Sequence, residues 1–172
     1  MIKLCGTASS IFAAAASLLR PPPGLRPWGE TLIALSLMGI LAFGLSYASP
    51  AITFSHPPMH GADTRSLLIL IPVAFLIPAL MEELVFRAGL PIMFGGGNRA
   101  DILSLAGFIL WHPVQTLFHL PMGQPAFLDP AFLTLVAVLG VSCTVLYRRS
   151  GSLLPAVILH WLVVVIWKSL GG

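Results

Sequence analysis

Five apolar stretches divide the chain: Thr31–Ser49, Ser66–Met81, Ile102–Phe118, Ala131–Tyr147 and Ser152–Trp167. Each is continuous rather than alternating, and each approaches the roughly 20 residues that a helix needs to cross hydrocarbon. Runs of this kind exceed a barrel strand of about 9–11 residues, so the pattern predicts an all-α, polytopic transmembrane helix bundle of about five spans. The punctuation between them fits. Pro21–Pro27 makes a stiff approach to the first span, and Trp28 marks its interface. The second span is predicted to stay helical past Arg87 as far as Pro91 or Phe94, where Gly95-Gly96-Gly97 breaks it. Asn98, with Asp101 three residues later, reads as the N-cap of the third. Asp129-Pro130 starts the fourth, with proline at the first helical position, and Ser150-Gly151-Ser152 followed by Pro155 starts the fifth.

Met1–Leu19 is more ambiguous, being short, Ala/Ser-rich and stopped by Arg20 and the prolines after it. It is expected to be an interfacial helix, with a weak sixth span or a signal peptide as the alternatives. Composition agrees with the pattern. Of 172 residues, 57% are hydrophobic and 9% charged, and the mean hydropathy of +0.94 excludes an ordinary water-soluble domain. The expectation is one membrane domain over residues 1–172, without a repeat or low-complexity tract.

The net charge of +3 comes from loop cations and concerns orientation, not nucleic acid, for which no binding is expected. With the N-terminus inside, Lys3, Arg20, Arg26, Arg99, Arg148 and Arg149 are cytoplasmic, against Arg65 and Lys168 outside. That bias suggests a multi-pass protein of a bacterial inner membrane with a cytoplasmic N-terminus. Cys5 and Cys143 form no disulfide framework, and Cys143 is expected to be packing. His56 and His60 are four apart, but Pro57 and Pro58 deny them a common helical face, so they read as loop histidines.

Against this background Glu82, Glu83 and Arg87 stand out inside an apolar run. Each costs roughly 2.5–3.5 kcal/mol to insert at membrane depth, so three together point to a functional site. On a helix Glu83 and Arg87, four apart, share a face, while Glu82 is turned about 100° away. Glu83 is therefore expected to pair with Arg87 and support Glu82, which is left available as a general base. Pro78, four residues before Glu82, withholds a backbone donor and is expected to bend the helix there. Counted from the cytoplasmic ends at 1.5 Å per residue, Glu82 lies about 18 Å deep, His112 about 16 Å and His160 about 12 Å. A lone intramembrane histidine is often structural, but two histidines and a carboxylate delivered to one level by three helices describe a buried polar site. Gln115 lies near His112, and His119 is near the outer end of the same span.

Some chemistries are missing. No His-Glu-x-x-His, Gly-x-Ser-Gly or Gly-x-Gly-Asp motif is present, and Gly95–Gly97 has no lysine after it for phosphate binding.

The ordered set Glu82-Glu83-x-x-x-Arg87, Phe108-x-x-x-His112 and a late His160 resembles the CPBP family, the CAAX-processing and bacteriocin-processing (Abi) intramembrane proteases. The resemblance covers residues 66–168, the expected protease core. It implies an endopeptidase in which Glu82 is the base that activates water, with Glu83 beside it. His112 orients it or shares the proton, and His160 stabilises the oxyanion, supported by Arg87 and Phe108. The family commonly carries Asn four residues after the late histidine; here that position is Val164, which donates no hydrogen bond, so Gln115 or a backbone amide is expected to complete the oxyanion site. A metal-free glutamate mechanism without a cofactor is expected. The alternative is a zinc protease using Glu82, His112 and His160. The expected partners are the bilayer and a membrane-associated substrate: a prenylated C-terminus, a leader peptide or a C-terminal sorting signal. A rival reading, favoured by Val164, is a catalytically silent binding or immunity protein, or a small proton-coupled carrier.

Overall fold

The computed structural model describes residues 24–49, 52 and 64–170, with Ala16 and Arg20. The expectations for the N-terminal segment and for His56 and His60 lie outside these residues. The elements are α1 (Arg26–Ser46), α2 (Thr64–Ala74), α3 (Met81–Glu83), α4 (Leu90–Met93), α5 (Gly97–Leu117), a 3-10 turn (Pro125–Leu128), α6 (Pro130–Ser150) and α7 (Leu154–Ser169). Wide π turns at Phe75–Leu80 and Leu84–Gly89 join α2, α3 and α4 into one broken rod.

Arg26–Ser46, Leu68–Met93 and Pro130–Ser150 are each long and apolar enough to cross a membrane. The other two predicted spans are helices as well. However, α5 carries Asn98, Arg99, Asp101, His112 and Gln115, and α7 is only 16 residues long. The fold is a polytopic helical bundle, and the protein is a membrane protein. Leu32, Ile33, Leu37, Ile40 and Phe43 on α1 are exposed, a face suited to lipid rather than water.

Local chemistry explains most boundaries. Asp129 caps α6, its Oδ1 accepting from the amides of Ala131 and Phe132, and Pro130 follows at the first position. Gly151, at φ 64°, ends α6 in the left-handed conformation that lets the chain reverse into α7. Asn98 is not the N-cap of α5. The glycines at 95–97 all have positive φ, so the chain enters the helix one residue earlier, with Gly96 at the cap. As expected from Pro78, the second rod breaks: Ile77 leaves helical geometry (φ −138°, ψ 109°) just before it. The Trp161 indole on α7 donates to the Ile71 carbonyl above that break at 2.9 Å.

α7 packs against α1, α2, α6 and the first π turn, which puts His160 in the middle of the bundle. The main core joins Met38, Phe86, Phe108, Phe132, Leu139 and Leu159, so all five long elements share it. At one end Glu30 receives both Arg26 (3.0 Å) and Arg149 (2.9 Å), while Arg148 pairs with Asp101. At the other end Ser49 donates to Asp129 at 2.8 Å, tying α1 to the cap of α6. That hydrogen bond, reinforced by the amides of Phe132 and Ala131, holds the Asp129 carboxyl below the usual carboxylate range.

Candidate active site

The short α3 carries both glutamates between the two π turns, an irregularity that recurs at functional sites. Glu83 is fully buried and Arg87 is 3% exposed; Arg87 Nε lies 3.1 Å from Glu83 Oε2. The guanidinium also sits 4.3 Å over the centre of the Phe108 ring, a cation–π contact. The π turn does not break the pair, and inside it the Phe86 carbonyl accepts from Ser104 on α5.

Glu83 does more than pair with Arg87. Its second oxygen, Oε1, lies 2.9 Å from His160 Nδ1, so one carboxylate spans the arginine of its own rod and the histidine of α7. This contact was not read from the sequence, where Glu83 was assigned only to its i+4 neighbour. Since a carboxylate can only accept, Nδ1 carries the proton, and Nε2 is the nitrogen that faces Glu82, 3.9 Å from its Oε2. Glu82 receives a hydrogen bond on Oε1 from Trp111 at 3.2 Å, while its buried Oε2 has no hydrogen-bond partner among the described residues. Trp111 was missed, although its place beside His112 was the available signal.

His112 is anchored in the same way. Its Nδ1 lies 3.0 Å from the Phe108 carbonyl one turn earlier; a carbonyl only accepts, so the proton is on Nδ1 and Nε2 is the basic nitrogen. Rings of Phe108, Phe127 and Phe132 surround it at centroid distances of 5.2–6.0 Å. Phe108 also meets the His160 ring edge to face at 5.9 Å, so one buried aromatic separates the two histidines and supports the arginine.

Glu82, His112 and His160 line one cavity of about 240 Å³, together with Gln115, Val164 and Lys168. Met38, Phe132, Val136 and Leu139 make its walls largely apolar. His119 does not line it; it lies in the turn after α5, with φ 53°. Cys143 is packing, as expected, with its thiol donating to the Ala156 carbonyl at 3.5 Å. Among the described residues no three His, Cys, Asp or Glu side chains are grouped so as to hold a metal ion. In both histidines Nδ1 is committed, to Phe108 or to Glu83, which leaves Nε2 as the open nitrogen of each ring.

The model of the family described as type II CAAX prenyl endopeptidase Rce1-like matches residues 64–166, from the start of α2 almost to the end of α7. The chain belongs to this family. It is a CAAX-type membrane protease of the CPBP group, and the match covers every residue of the constellation except Lys168. No curated protein and no solved structure matches the chain.

Proposed function

We propose that this CAAX-type protease hydrolyses a peptide bond of a membrane-associated protein by a metal-free, glutamate-activated water. The supporting observation is the shared cavity: Glu82, with a buried oxygen that lacks a hydrogen bond, faces His160 Nε2 across 3.9 Å. That gap is too long for a direct hydrogen bond and suits a single intervening water. Glu82 takes a proton as the water oxygen attacks the carbonyl carbon, with His112 Nε2 as the second acceptor at the same wall. His160 stabilises the oxyanion by donating through Nε2. It can do so only from the protonated ring, and Glu83 on Nδ1 balances that charge, as the buried carboxylate does in a hydrolase triad. Collapse of the intermediate breaks the C–N bond, and Glu82 returns its proton to the departing amine.

A prenylated C-terminal tail is the substrate class that the family implies, and the apolar walls suit aliphatic side chains. We place the N-terminus on the cytoplasmic side of a bacterial inner membrane, on the cluster of Arg26, Arg148 and Arg149 at the Glu30 end. In purified protein reconstituted in lipid, Glu82→Gln should lower the kcat for a farnesylated CAAX peptide by roughly 10²–10⁴-fold without changing Tm. Full turnover by that variant would sink the assignment. A proton-coupled carrier would need a polar path through the bundle. The walls of the cavity that Glu82 lines are instead largely apolar, with Met38, Phe132, Val136 and Leu139 among them.

A further inference from the structure

We propose that Trp111 is a positioning residue that holds the Glu82 carboxylate back from His160, so that the gap between them stays wide enough for the attacking water. This role rests on the protease reading above and adds the side chain that keeps its general base in place. Trp111 Nε1 donates to Glu82 Oε1 at 3.2 Å, while Oε2 of the same carboxylate, without a hydrogen-bond partner among the described residues, lies 3.9 Å from His160 Nε2. The two oxygens have separate duties. Glu82 lines the cavity, whereas Trp111 is not among the described residues that do, and its indole is 36% exposed on the outside of the bundle. It tethers the carboxylate from behind. One step along α5, a turn of about 100°, separates Trp111 from His112, so the same helix sends the imidazole to the cavity wall and the indole to the outer side of Glu82.

The site needs such a tether. Glu82 stands in a helix only three residues long between two π turns, so its backbone alone does not fix a side chain with several rotatable torsions. A direct N–H···O hydrogen bond spans about 2.7–3.2 Å, so an advance of about 1 Å by Oε2 would join it to the protonated His160 ring. That ion pair would take the place of the water and occupy the base and the oxyanion donor together. The bond to Trp111 opposes the advance, because drawing Oε2 towards His160 pulls Oε1 away from the indole N–H. Glu83 on the far nitrogen of His160 fixes that ring from its own side, so the gap is held from both edges.

The test uses the full chain reconstituted in lipid, with steady-state kinetics on the farnesylated CAAX peptide and a thermal melt of each variant. Trp111→Phe keeps an aromatic ring and removes the N–H. It should lower kcat by roughly 10–10²-fold with KM and Tm unchanged, since the carboxylate is displaced and the substrate contacts are not. Trp111→His keeps a ring N–H at the same number of bonds from Cβ and should recover most of the loss. In a Glu82→Gln background Trp111→Phe should cost nothing further on the residual rate, because a residue that acts through Glu82 has nothing left to position. A Trp111→Phe variant with the parent's kcat, one whose loss appears in KM or Tm, or equal losses in both backgrounds overturns the tether while leaving the protease reading intact. If Trp111→Phe does not fold, Trp111→His decides, a kcat within about tenfold of the parent supporting the tether and a larger fall overturning it. A parent that cleaves no peptide, or a Glu82→Gln variant with full turnover, overturns the protease reading and the tether with it.

Discussion

Removing the Arg87 guanidinium takes away the partner of a carboxylate that has no exposure to solvent. Glu83 is fully buried and Arg87 nearly so, with Nε and Oε2 3.1 Å apart, so Arg87→Ala leaves Glu83 without its cationic partner, hydrogen-bonded to His160. Breaking a buried pair from one side costs about 3–5 kcal/mol, because the remaining charge is neither solvated nor neutralised. The lost cation–π contact over Phe108 adds to this. For a chain of this size each kcal/mol shifts Tm by roughly 2–4 °C, so a fall of roughly 10 °C is expected in detergent-solubilised protein. The double variant Glu83→Gln/Arg87→Met removes both charges while nearly conserving volume, and should recover most of that loss. Activity should stay low in the double variant, since the carboxylate that orients His160 has gone. An Arg87→Ala variant with a Tm within about two degrees of the parent would refute the ion-pair argument. A fully active double variant would refute the positioning role of Glu83.

Four other outcomes follow from the same geometry. Val164→Asn places an amide one turn beyond His160 on the cavity wall and should raise kcat by roughly tenfold; Gln115→Leu, if Gln115 completes the oxyanion site, should lower it by roughly 10²-fold, both read by steady-state kinetics on the farnesylated peptide. A Cβ at Gly140 would meet Leu105 Cδ1 at 2.6 Å and Phe108 Cδ1 at 3.0 Å, so Gly140→Ala should destabilise by about 1–3 kcal/mol through the α5–α6 contact, measured as a Tm decrease. Asp129, whose folded carboxyl is held below its usual range by Ser49, contributes stability that is present above the unfolded value near pH 4 and lost as pH falls through the lower folded one. Hence Asp129→Ala should have a lower Tm than the parent at pH 7, and the gap should close as the pH falls below 4.

What could be read in advance depended on whether the cause was local. Pro78, Asp129-Pro130 and Gly151 act within a turn of themselves, and the break, the cap and the reversal occur where those residue types predict. Helical angle separated Glu82 from Glu83, and counting residues brought His112 and His160 to the level of Glu82. The N-cap of α5 was displaced because three consecutive glycines can all adopt positive φ, and Asn98 lost the position to Gly96. Composition alone did not show that α5 and α7 differ from the three long apolar rods: α5 gives up hydropathy to Asn98, Arg99, Asp101, His112 and Gln115, while α7 is apolar but only 16 residues long.

The larger omission was the second oxygen of Glu83. A four-residue spacing identifies one partner of a carboxylate, yet a buried carboxylate offers two oxygens, and in a low-dielectric core both need donors. The donor for the second came from α7, 77 positions away in sequence, and only packing of α7 against the broken rod could bring it there. The consequence is chemical. A histidine whose Nδ1 is held by an ion-paired carboxylate has one orientation and one neutral tautomer, so Arg87 reaches the cavity through two contacts, Arg87 to Glu83 and Glu83 to His160. The arginine that first looked like a structural counter-ion thus helps set which nitrogen of His160 faces Glu82.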